Sequence, residues 1–215
     1  MNKKRKPTHR KHHQLHDYKS RCIYHITLVV SDRVPLLGRM VGETVDEARV
    51  EHTELGFAIS EEIQALPSRC AEKGWQVKIL AKVVMPEHIH FVLFVEKPMD
   101  VKLQMVLRGF KQGCNKRLRF WLEKAREMAE VGNLNQPNGS SNPTTPTAGT
   151  QQGLPSGIAA FLRQLIYCGS SRILREHALF EEDFDETRLR REGQLKSMIA
   201  YVHFREGLKF MVYSL

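Results

Sequence analysis

Two histidines, His88 and His90, interrupt the most hydrophobic stretch of the chain, VVMPEHIHFVLFV at residues 83–95. Side chains alternate faces along a strand, so His88, His90, Val92 and Phe94 would line one face and Ile89, Phe91, Leu93 and Val95 the other. Two imidazoles spaced in this way point in the same direction and can grip one divalent ion, imidazole being the commonest metal ligand. The competing reading is a pair of partly buried histidines satisfied by backbone carbonyls. Other metal-binding patterns are poorer. His9, His12, His13 and His16 cluster near the N-terminus, with no cysteine or carboxylate set to complete a site. Cys22, Cys70, Cys114 and Cys168 are scattered without a CxxC pair, so neither a disulfide framework nor a structural zinc site is expected. That usage suits a reduced, cytoplasmic compartment.

The elements that must carry the histidines follow from periodicity. CIYHITLVV (22–30) is β-branched and aromatic, reading as a first strand with a turn at SDRVP. From about Thr44 to Lys73 the spacing of Val45, Ala48, Leu55, Ile59, Ile63 and Leu66 predicts a helix, with Pro67 breaking or kinking its end. WQVKILAKVVM (75–85) and IHFVLFVE (89–96) predict an antiparallel strand pair joined by a tight turn. Residues 101–128 predict a long basic helix with Leu103, Val106, Leu107, Phe110 and Leu118 as its apolar stripe. Gly109 and Gly113 mark a kink or a close approach within it.

Residues 133–157 are dominated by Asn, Pro, Gly, Ser and Thr, the composition of a disordered insertion. The alternating segment 179–190 predicts an edge strand. From Glu192 a final amphipathic helix packs through Leu195, Met198, Ile199 and Val202. The expected class is α+β: a ferredoxin-like split βαβ arrangement, an antiparallel sheet with helices on one face. One domain would span 22–132 and 158–215, preceded by a basic, disordered arm at 1–21.

The 215 residues carry a net charge of +9, which points to a polyanionic partner, most often nucleic acid. Eight Lys/Arg against one Asp fall in the first 21 residues, where an arm could lie along a phosphate backbone or serve solubility alone. No run approaches the roughly 18 apolar residues of a membrane span, and no apolar h-region follows the basic start. Tyr24 and Tyr167 are candidates to stack on bases.

Several of these segments taken together carry a resemblance. VVMPEHIHFVLFV resembles the histidine-hydrophobic-histidine (HUH) strand of single-tyrosine transposases of the IS200-like and REP-associated groups. YHITLVVSDRVPLL (24–37) is similar to the family's first strand and its exit, and LRGFKQGCNKRL (107–118) to the basic helix after the histidine strand. FDETRLRREGQLKSMIAYVHF (184–204) looks like the strand and helix that bear the nucleophilic tyrosine. The resemblance covers most of residues 22–208 outside the insertion.

It implies that His88 and His90 are metal ligands for Mg²⁺ or Mn²⁺ and that Tyr201 is the nucleophile. DNA would be cleaved and rejoined through a 5′-phosphotyrosine, on single-stranded or hairpin substrates, by a monomer or a homodimer. The family's third ligand, one turn after the tyrosine, falls here on Arg205, which cannot coordinate a cation; Glu206, one residue further, is the candidate substitute. Lys111, Lys116, Arg117, Arg119 and Arg205 are candidate DNA-binding residues. Two other classes remain open: a non-catalytic nucleic-acid-binding module, decayed transposases included, and a metal phosphoesterase that uses water.

Overall fold

Four strands form one antiparallel sheet: β1 (Cys22–Val29), β4 (Val77–Val84), β5 (His88–Val95) and β6 (Asp185–Leu189), in the order β4-β5-β1-β6. The structure is a computed structural model and describes residues 16–44, 47–134 and 171–206. Helix α1 (Glu54–Ala71) lies between β1 and β4 in the chain, so that connection passes over β5. Helix α2 (Leu103–Leu134) and a short helix α3 (Ser171–Glu176) lie between β5 and β6, so the return passes over β1. The two β-α-β units interleave, and the class is α+β. Helix α4 (Glu192–Glu206) follows the edge strand β6.

The sequence places the first strand, the histidine strand and the basic helix within a few residues of their observed bounds. It fails between residues 38 and 52. There the chain makes a hairpin, β2 (Gly38–Val41) with β3 (Arg49–His52), and the helix begins only at Glu54. Val45 and Ala48 continue the helical spacing by coincidence. The physical start signal is Thr53, whose Oγ1 accepts from the Gly56 amide at 3.1 Å and donates to the Leu36 carbonyl at 2.7 Å. Gly56 is obligatory here, since a Cβ would sit 1.9 Å from the Leu37 carbonyl oxygen. Pro67 does not end the helix, which continues to Ala71 with Leu66 and Cys70 buried on either side.

The main core lies on the α1/α2 side of the sheet. Tyr24, Ile26 and Leu28 of β1 and Ile89, Phe91, Leu93 and Val95 of β5 meet Ile59 and Ile63 of α1 and Leu107, Phe110 and Leu118 of α2. The Phe91 and Phe110 rings are 5.6 Å apart. Each fully buried side chain of this size contributes about 1.5–3 kcal/mol of burial free energy. Tyr24 is therefore not a base-stacking residue: it is fully buried, and its hydroxyl lies 2.7 Å from His16 Nε2. Tyr167 lies outside the described residues, as do most of the basic arm and the insertion. Residues 16–20 pack onto the domain, where Tyr18 donates to Glu186 at 2.5 Å.

A charged clamp joins the two outer helices. Glu62 of α1, 3% exposed, accepts from Arg69 of the same helix and from Arg117 Nε of α2 at 2.9 Å. Gly113 leaves room for it, because a Cβ there would stand 2.6 Å from Glu62 Oε2. The Arg69 hydrogen bond, aided by Arg117, holds the Glu62 carboxyl below the usual carboxylate range despite its burial. A carboxyl depressed in the folded state stabilises the fold above its unfolded pKa of about 4.3 and loses that contribution as pH falls through its folded value. Glu62→Gln should thus lower Tm at neutral pH yet lose less Tm than the wild type on acidification to about pH 3. Equal acid losses in thermal melts of the two proteins would show that the Glu62 charge does not support the fold.

Candidate active site

The face of the sheet away from the main core carries the histidines. β1 and β5 pair with Thr27 opposite His90, His25 opposite Val92 and Val29 opposite His88. Strand alternation therefore gathers His25, Thr27, His88 and His90 on one face, while Ile89 and Phe91 remain in the core. The His88 and His90 ring centroids are 4.7 Å apart, and His90 Nδ1 lies 2.9 Å from Thr27 Oγ1. Both rings are largely shielded, at 18% and 7% exposure.

Helix α4 covers part of this face. Val202 packs with Ala81, Val83, Val92 and Leu189 in a second cluster, joined by Leu195, Met198 and Ile199. These four α4 residues are the packing stripe read from the sequence. Seating Val202 on Val92 brings its neighbour Tyr201 over the histidines. The Tyr201 ring centroid stands 5.9 Å from that of His90, at 72°, and 6.5 Å from that of His25, at 89°. Tyr201 is 38% exposed, so one side of a ring wedged against two imidazoles remains open to solvent.

His25 belongs to this site, and the sequence reading missed it. Its ring stacks on His90 with centroids 5.1 Å apart and planes within 21°. Its Nε2 is buried without a hydrogen-bond partner among the described residues, and burial pushes its pKa down. The available signal was the alternation in YHITL: if Tyr24, Ile26 and Leu28 face the core, His25 and Thr27 must share the opposite face.

At the hairpin turn before β5, Arg33 Nη1 donates to Glu87 Oε1 at 2.9 Å, and the same oxygen lies 3.8 Å from His88 Nδ1. The chain reaches this position through two consecutive non-glycine residues in the left-handed region, Asp32 at φ 58° and Arg33 at φ 54°. Such conformations are costly for side-chain-bearing residues and tend to persist at functional sites.

The divalent cation implied by the resemblance can be tested against this donor set. With nitrogen–metal bonds of about 2.1 Å, two imidazoles on adjacent positions around one ion have centroids about 4.5 Å apart, close to the His88–His90 spacing. The ring spacing is that of two ligands to one ion. Among the described residues no three His, Cys, Asp or Glu side chains converge as a cation cage. Glu206 and Arg205 lie on the last turn of α4, and their side chains fall outside the described residues.

The basic residues of α2 are not gathered with the histidines. That helix covers the core face, on the far side of the sheet. Lys111 donates to the carbonyls of Glu181 and Glu182 at 2.7 Å and lies 3.2 Å from that of Asp183, and Arg117 is held by Glu62. Lys116 and Arg119 are exposed on α2. No helix among the described residues is long and apolar enough to cross a membrane.

No protein-family model matches the chain. No curated protein matches it either. Among solved structures it is similar to a REP-associated tyrosine transposase bound to a REP hairpin, at 12% identity and a TM-score of 0.42, covering 87% of this chain and 68% of the other. It is also similar to a proposed transposase from Deinococcus radiodurans R1, at 13% identity and a TM-score of 0.35, covering 91% of this chain and 98% of the other.

The His25 imidazole gives a direct test of whether the site is built for packing. An unpaired buried polar atom costs on the order of 1–3 kcal/mol. His25→Leu should therefore raise Tm by roughly 2–4 °C for each kcal/mol recovered. A lowered Tm in a melt of that variant would mean that His25 supports the fold rather than burdening it.

Proposed function

We propose that the chain is a metal-dependent transposase that cleaves and rejoins single-stranded or hairpin DNA with Tyr201 as nucleophile. The observation that carries this reading is the meeting of Tyr201 with His90, whose ring lies beside that of His88. A strand near the middle of the chain and a helix near its end bring a phenol that is over one-third exposed to one of two co-facing imidazoles. A packing role alone gives no reason for this grouping, and His25 Nε2, without a hydrogen-bond partner among the described residues, is a cost that a packing role would leave unexplained.

His88 and His90 would hold a divalent cation, Mg²⁺ or Mn²⁺, which when bound neutralises a non-bridging phosphate oxygen and orients the phosphorus. Water, the substrate or Glu206 would complete its shell, as Mg²⁺ readily retains waters. Tyr201 Oη attacks the phosphorus and loses its proton. The bond to the 3′-oxygen breaks, that oxygen takes up a proton, and the 5′-phosphate remains joined to Tyr201. The phosphotyrosine keeps the energy of the phosphodiester for rejoining, which a water-using nuclease would lose. Lys116 and Arg119 are proposed phosphate contacts away from the cleavage point, with Arg205 nearer the tyrosine in sequence. Lys111 and Arg117 already serve the fold.

Labelled single-stranded and hairpin DNA incubated with the protein and Mn²⁺ should yield a covalent adduct on a denaturing gel. The adduct should disappear in Tyr201→Phe, in His88→Ala/His90→Ala, and on chelation of the metal. Cleavage that persists in Tyr201→Phe would replace this reading with a water-using phosphoesterase. DNA binding with neither cleavage nor adduct would replace it with a non-catalytic module.

A further inference from the structure

A histidine that binds a cation through one ring nitrogen must carry its proton on the other, and the partner of that other nitrogen selects the tautomer. Near Nδ1 of each candidate ligand lies an oxygen, within hydrogen-bonding distance at His90 only. For His90 it is Thr27 Oγ1, 2.9 Å away on the neighbouring strand and directly opposite in register. For His88 it is Glu87 Oε1 at 3.8 Å, longer than a hydrogen bond, on a side chain held in place by Arg33 at 2.9 Å.

Arg33 is itself held by a pinned turn. Ser31 donates its amide to Leu179 O at 2.8 Å and its hydroxyl to Ala178 O at 2.9 Å. The Asp32 amide donates to Glu181 Oε1 at 3.0 Å, and the Val30 amide to Glu87 O at 2.8 Å. These bonds over-determine the left-handed pair Asp32–Arg33 and fix where the guanidinium emerges.

We propose that Thr27 and the Arg33–Glu87 pair are positioning groups that hold His90 and His88 as Nδ1–H tautomers, so that both rings present Nε2 to one divalent cation. This rests on the reading of His88 and His90 as ligands. A carboxylate can only accept, so Glu87 selects Nδ1–H on His88; cation binding makes that proton a better donor and draws the two groups together. The Thr27 hydroxyl can accept from Nδ1–H or donate to bare Nδ1. Only the first arrangement leaves Nε2 with a lone pair for the cation. Strand β1 and its exit turn thereby set the protonation pattern of a site whose ligands sit on β5.

The test uses the full-length protein with ¹⁵N-labelled histidine, metal-free at neutral pH, where NMR distinguishes the tautomers directly. His88 and His90 are expected as Nδ1–H. Thr27→Val, which keeps the shape and removes the hydroxyl, should release His90 from that tautomer and weaken Mn²⁺ binding by about 10–100-fold. Thr27→Ser should restore both, and Glu87→Ala should move His88 and leave His90 unchanged. His90 found as Nε2–H in the wild type, or unchanged tautomer and Mn²⁺ affinity in Thr27→Val, would overturn the proposal. So would an absence of Mn²⁺ binding in the wild type. The expected tautomer and affinity shifts without any Tyr201 adduct would sink the transposase reading and leave this inference standing. An adduct formed by wild type and Thr27→Val alike, with tautomers unaltered, would do the reverse.

Discussion

The antiparallel pairing of β1 with β5 is the constraint on which the remainder of the molecule depends. It sets Thr27 opposite His90 and Ile26 opposite Phe91, dividing both strands cleanly between two faces. A slip of one residue would carry His88 and His90 into the main core and Ile89 and Phe91 out of it. The cost of burying two imidazoles among Ile59, Ile63 and Phe110 makes that slip unfavourable. The hydrophobic residues that stabilise the fold are therefore also what aims the histidines.

The second face is held by a much smaller cluster. Val202 of α4 and the residues beneath it, Ala81, Val83, Met85, Val92 and Leu189, form its buried cluster, against some thirty residues in the main core. This modest contact seats Tyr201 against His90 while leaving its ring over one-third exposed. The nucleophile role proposed for Tyr201 needs that compromise, since such a group must be aimed and still be reached. The same face tolerates His25, whose Nε2 has no hydrogen-bond partner among the described residues, a local cost that the larger cluster on the other side can offset.

The far side of the sheet uses charge differently. Arg117 and Lys111, which the sequence presents simply as members of a basic helix, are drawn into the Glu62 clamp and onto the carbonyls of residues 181–183. A side chain engaged in this way ties α2 to α1 or to the segment before β6, even where, as at Arg117, it is still partly exposed. Net charge raised the expectation of a polyanionic partner, but it could not distinguish cations already bonded within the fold, such as Lys111 and Arg117, from Lys116 or Arg119.

Much of the architecture was legible because it is written in local periodicity. Alternation in IHFVLFV and spacing in QLKSMIAYV identified which side of each element meets its neighbours, and both faces are as expected. The hairpin at 38–52 was illegible because four-residue strands carry too little pattern, and Val45 and Ala48 fell by chance in helical phase. His25 and Thr27 were present in the sequence as alternating polar residues in an apolar strand. Their significance came only from pairing, since nothing local says that Thr27 lies opposite His90 or that Arg33 reaches Glu87. The sequence by itself determined the long elements, their buried faces and the two co-facing imidazoles, because these depend on contacts between near neighbours. Tertiary structure alone decided which oxygen lies near each imidazole and that His25 joins them, because those contacts join residues that meet only when the sheet is assembled.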